Sequence, residues 1–179
     1  MSVTVSEVRD AFHLLYRNVL DRQFRKTLDL HHWSEKEMLP LVRTFLLGWF
    51  GRCVPEVTVR LPSAPSGYGR IDFQLGDVAV EFAVRRPLDH KGPLSSKVNT
   101  TEVIKLMMFE GRGLLVLFDF SANPFKDDDI ERFREYPSLG RGNHRRSAFN
   151  VAYFYIDKSA QGDDQYQCIS KNIRVAQRR

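Results

Sequence analysis

The chain is expected to fold as an α/β protein, a central mixed sheet with helices packed against it, and three observations carry that expectation. Arg70 to Leu75 and Val78 to Arg85 alternate apolar with other residues around Gly76-Asp77, the period-2 pattern of a β-hairpin with one buried face. Gly113 to Phe120 is a continuous apolar run, as in a strand covered on both faces. A helical pattern separates the two, so the second hairpin strand and the apolar strand should run parallel through a right-handed crossover.

Each element follows from local chemistry. Residues 5–28 read as a helix, with Val8, Phe12, Leu15, Val19 and Leu20 on one stripe. Ser34-Glu35-Lys36-Glu37 has the spacing of a capping box, and Met38 to Phe50 continues as an apolar helix that Gly51 ends. Pro40 makes either a separate first turn or the first true helical position. Residues 56–61 form a short strand and 62–69 a loop rich in Pro and Gly. In the hairpin, Gly at the first central position suits a two-residue turn. Leu75 then faces Val78, and counting outward sets Asp72 opposite Glu81. Ile71, Phe73, Leu75, Val78, Val80, Phe82 and Val84 share the core face; Asp72, Glu81, Ala83 and Arg85 share the other. Asn99 should cap a helix running to about Glu110, with Glu102 as its box partner. A short charged helix over 127–135 starts at Asp127-Asp128-Asp129, where the dipole favours acid. A Gly- and Arg-rich loop over 136–147 leads to strands over 149–156 and 167–175. One domain, 1–179, is expected, with no internal repeat.

Composition bounds the function. No apolar run approaches the roughly 20 residues of a membrane span, and the first residues lack a signal-peptide pattern, so no membrane partner is expected. Cys53 and Cys168 stand apart without zinc or redox spacing, consistent with a reducing, cytoplasmic setting. The net charge of +5 is concentrated late: residues 132–179 hold ten Lys/Arg against four Asp/Glu, which leaves about −1 for the remainder. A basic extension of this kind favours a polyanion, nucleic acid above all. Its alternative is a solvated surface that keeps the protein soluble.

The chemistry concentrates on Asp72 and Glu81. Directly opposed side chains lie roughly 4.5–5.5 Å apart at Cβ, where like charges destabilise. The pair therefore needs a cation. A helix, three strands with Ile71-Asp72 on the second and Glu81-Phe82-Ala83 on the third, then a helix and a strand, resembles the PD-(D/E)XK nuclease core over about residues 34–120. The resemblance implies a restriction-endonuclease-like core between an N-terminal helix (5–28) and a basic C-terminal extension (132–179). It also implies a DNA-directed phosphodiesterase with one or two Mg²⁺ (or Mn²⁺) ions on Asp72 and Glu81. Hard carboxylate oxygens suit such an ion, which activates water and stabilises a leaving oxygen.

The chain departs from that pattern: Ala83 stands where the family has lysine, and Ile71 where it has proline. Lys105, or alternatively Lys97, could supply the lysine from the following helix; Arg85 shares the face but is a poor base. Glu37 or Glu35 is a candidate accessory acid, although the capping box alone accounts for Glu37. Asp119 could line the same cleft. Arg85, Arg141, Arg145 and Arg146 are candidate phosphate contacts. Without metal, Arg70 and Arg85 could neutralise the carboxylates as ion pairs. The same fold would then be a catalytically degenerate subunit that binds nucleic acid or assembles with protein. A third reading is an interaction module whose basic tail meets an acidic partner; a homodimer is also open. His31-His32 lacks a third ligand and reads as loop.

Overall fold

The structure is a computed structural model and describes residues 2–62, 64–90, 92–135 and 147–174. Six strands form one mixed sheet in sequence order: β1 (Val54–Arg60), β2 (Tyr68–Leu75), β3 (Val78–Arg85), β4 (Arg112–Asp119), β5 (Phe149–Ile156) and β6 (Tyr166–Ile173). β1, β2 and β3 are antiparallel neighbours; β3, β4 and β5 run parallel; β6 returns antiparallel to β5. The parallel β3–β4 pairing agrees with the crossover expected from sequence. The sheet also continues through β5 and β6, well past residue 120.

Helices cover both faces. Helix α1 (Val5–Leu20) and α2 (Glu35–Phe50) bury Phe12, Tyr16, Met38, Val42 and Leu46 against Leu75, Val80, Phe82, Val116 and Phe118. Helix α3 (Thr100–Met108) and α4 (Asp127–Glu131) cover the other face, where Val103, Leu106, Met107 and Ile130 meet Ala79, Ala83, Leu115 and Leu117. Strands β3 and β4 are buried on both faces, which explains the unbroken apolar run of β4.

Several boundaries differ from the sequence reading. Helix α1 stops at Leu20 rather than at residue 28. There the Asp21 carboxylate accepts the backbone N–H groups of Gln23 and Phe24, starting a 3₁₀ turn at Phe24–Lys26 and leaving Phe24 and Leu28 exposed. Pro40 lies inside α2, which runs unbroken from Glu35 to the left-handed Gly51 (φ 68°). Asn99 does not cap α3 with its side chain; its amide donates instead to the carbonyls of Pro93 and Ser95, which frees Glu102 from capping.

The hairpin turn is as expected, with Gly76 at φ 66° and Leu75 paired to Val78. The face assignment of β2 needs one correction. Phe73 packs on the α2 side and Ile71 on the α3 side, so the strand changes faces across Asp72. The β1–β2 ladder passes from Pro55–Phe73 to Val57–Ile71 and skips Glu56 and Asp72, and Glu56 is left-handed at φ 56°. A non-glycine residue in that region is uncommon and costs roughly 1–3 kcal/mol. The site is built at this break.

Candidate functional site

The β2–β3 ladder ends at Phe73–Val80, and continuing its register sets Asp72 opposite Glu81, as the sequence predicts. Asp72 does not pair through its backbone. Its Oδ2 accepts the Phe82 N–H at 2.9 Å and takes the place of the next rung. Glu81, 1% exposed, points to the α3 side, where Lys105 Nζ donates to Oε2 at 2.8 Å and lies 2.7 Å from Oε1. The same Nζ donates to the Arg70 carbonyl at 2.8 Å. Lys105 is 8% exposed, and its stem crosses β2 at Gly69, where a Cβ would sit 3.2 Å from Lys105 Cδ and 2.9 Å from Leu61 Cδ2.

The cation for the carboxylate pair is therefore Lys105, reaching from α3 to the position that Ala83 leaves without an amine. Lys97, the alternative, lines another cavity with Thr100, Phe125 and Arg132. The two arginines considered as neutralising partners are engaged elsewhere. Arg70 pairs with Glu56 at 3.1 Å. Arg85, expected at phosphate, is 1% exposed and held by Asp119 at 2.6 and 2.9 Å; it also donates to Ser121 Oγ and to the Asn123 carbonyl. Its guanidinium lies over the Phe125 ring, 4.9 Å from the centroid. Burial, with Nε and Nη2 taken up by Asp119, Ser121 and Asn123, removes Arg85 from the nucleic-acid contacts; its Nη1 is buried without a hydrogen-bond partner. Asp119 likewise faces this inner network, where Tyr153 donates to it at 2.5 Å. Arg141, Arg145 and Arg146 lie outside the described residues.

The two glutamates at the start of α2 have different surroundings. Glu37 closes the capping box, its Oε2 accepting from the Ser34 N–H at 2.7 Å and hydroxyl at 2.6 Å. That bonding holds its carboxyl below the usual range. Glu35, two residues earlier, turns to the site. Enclosure by protein, then repulsion from Asp72 and Glu102, push it up to about 7, with Lys105 opposing. Its side chain is nonetheless exposed at the surface, so water screens that repulsion and draws the carboxyl back toward its ordinary range. Burial first and Asp72 second push Glu81 up to about 9 against the opposing Lys105. Burial raises Asp72 as well, and the Phe82 N–H counteracts it.

Sequence reasoning missed Glu102 and Gly69. Glu102 had a usable signal: it stands three residues before Lys105, on the same face of α3. Lys105 contacts Glu81, while Asp72, Glu35 and Glu102 add negative charge to its surroundings. Two features fit a divalent cation. The donors are hard oxygens, and Glu81 Oε1 is buried with the Lys105 ammonium, 2.7 Å away, against it. Among the described residues, no three His, Cys, Asp or Glu side chains are already gathered as a metal cage. Asp72 and Glu81 could hold such an ion with water completing its shell, as Mg²⁺ prefers. A cleft of about 460 Å³ opens beside Asp72 between α2 and the β1–β2 pair. Comparison with models of protein families, with curated proteins and with solved structures finds no match for this chain.

Proposed function

We propose that this protein is a Mg²⁺-dependent phosphodiesterase acting on DNA, with a PD-(D/E)XK-like site in which the lysine has moved from β3 to α3. The observation that carries the reading is Lys105 Nζ on Glu81 beside Asp72, the trio the resemblance calls for, assembled despite Ala83. The order of elements from α2 through β1, β2, β3 and α3 to β4 also supports it. Asp72 and Glu81 would hold the metal, which when bound lowers the pKa of its water and stabilises the leaving oxygen. Lys105 offsets the charge that develops on the phosphoryl oxygens. Glu35, at about 7, is suited to take a proton from the attacking water near neutral pH.

A second reading, a non-catalytic DNA-binding subunit, is favoured by the ion pair itself, since Lys105 already supplies Glu81 with an internal cation. One experiment separates the two. Circular single-stranded and supercoiled duplex DNA are incubated with the protein and Mg²⁺ or Mn²⁺. Cutting by the parent and its loss in Asp72→Asn and Glu81→Gln are expected. Equal cutting by parent and both variants would overturn the site. Salt-dependent binding with no cutting under either metal would establish the second reading.

A further inference from the structure

The cleft beside Asp72 has two unlike walls. Leu39, Leu47, Pro55 and Phe73 give it an apolar lining, and α2 sets Lys36 and Arg43 along one side. Seven residues apart, these cations fall on the same helix face, about 10 Å from each other along the axis. Both are exposed, and among the described residues no carboxylate pairs with either. The sheet wall carries Glu56 and Asp72 and repels anions, so a phosphate chain in the cleft would follow the helix. Asp72 lines the cleft itself, so whatever the two cations hold lies beside that carboxylate.

We propose that this cleft receives one unpaired nucleotide, its base on the apolar lining and its flanking phosphates on Lys36 and Arg43, so that the site takes single-stranded nucleic acid rather than continuous duplex. The inference rests on the phosphodiesterase reading for what happens next, but not for binding. A base inside a duplex is stacked on both sides and must leave the stack to enter a pocket; an unpaired base is already available. Apolar contact with base faces joined to cations along the backbone is the general means of holding single strands.

The test is fluorescence anisotropy in Ca²⁺ with a labelled 12-nucleotide DNA strand, its blunt duplex and the RNA of the same sequence. The DNA strand should bind at least tenfold tighter than the duplex. Lys36→Ala and Arg43→Ala should each reduce the slope of log K against log salt by about 0.7, the value for one phosphate contact on a single strand. Leu47→Glu, at an exposed helix position, should weaken binding by placing an anion in the cleft. Lys158→Ala, an exposed cation outside the cleft, controls for net charge. Tighter binding of duplex, or cleft variants that match Lys158→Ala, would overturn the proposal. Tighter binding of RNA would keep the cleft and overturn the assignment to DNA. If no cutting is ever seen but the cleft variants still lose single-strand affinity, the cleft stands and the catalytic reading falls.

Discussion

At the scale of single residues, the proposed site turns on one ammonium that would compete with a metal ion. Lys105 is the basic side chain in contact with Glu81. A unit charge about 4 Å away at an effective dielectric near 20 is worth about 4 kcal/mol. Removing it has opposite effects on binding and on chemistry. Lys105→Met should bind Mg²⁺ about tenfold tighter by calorimetry, which uses about 1.4 kcal/mol of that interaction, Glu81 protonation absorbing more. The same variant should lose cleavage, because no cation then faces the developing charge. Loss of metal affinity together with activity would mean that Lys105 only supports the fold. Arg85 illustrates the opposite fate of a basic residue. Twinned with Asp119 and ringed by Ser121, Asn123 and Phe125, it is consumed by structure although it shares a strand face with Glu81.

At the scale of elements, the first turn of α2 divides its labour between two glutamates. Glu37 completes the box with Ser34, while Glu35 faces Asp72 and Glu102. Glutamine also serves in a capping box, so Glu37→Gln should keep both the helix and cleavage. Glu35→Gln should instead abolish the acidic limb of the pH–rate profile, which the parent should show near pH 7; an unchanged profile would remove Glu35 from proton transfer. Ser34→Ala should cost about 1 kcal/mol of stability, read by denaturant unfolding. This turn also shows how far the sequence could be read. The box spacing, the Gly76-Asp77 turn and the period-2 pattern were legible because each depends on neighbours within four residues. Those local signals set Asp72 against Glu81 correctly. The change of faces at Asp72 was not legible, because it depends on a left-handed Glu56 in another strand, and nothing about glutamate favours that conformation. Glu102 was misread for a different reason. A plausible local role with Asn99 concealed a tertiary one, while Asn99 turned back to the loop before α3.

At the scale of the whole molecule, a protein of net charge +5 buries Glu81 with Asp72 and Glu35 nearer the surface beside it, and this couples folding to pH. Glu81 rises from 4.5 to about 9, Glu35 from 4.5 to about 7, and Asp72 rises from 3.8. Each native pKa lies above its unfolded value, so between about pH 4 and pH 9 the native state binds more protons than the unfolded chain. The slope of unfolding free energy with pH follows the unfolded minus the native proton count, and here it is negative. These groups therefore make the metal-free protein less stable as pH rises through that window, contrary to the usual behaviour of paired carboxylates. A divalent ion held by Asp72 and Glu81 would reverse the trend, since it would bind the deprotonated carboxylates and release their protons. At a hundred times its dissociation constant, ligation adds about 2.7 kcal/mol. For a chain of this size that corresponds to a melting shift of about 5–10 °C. Thermal melts from pH 6 to 9, with and without Mg²⁺, should show the metal-free midpoint falling and the metal-dependent gain growing as pH rises. Asp72→Asn with Glu81→Gln should remove the metal-dependent gain and leave only the shallower fall that Glu35 contributes. A midpoint in the parent that ignores both pH and Mg²⁺ would mean that Lys105 alone satisfies the carboxylates, and that Asp72 and Glu81 hold no metal.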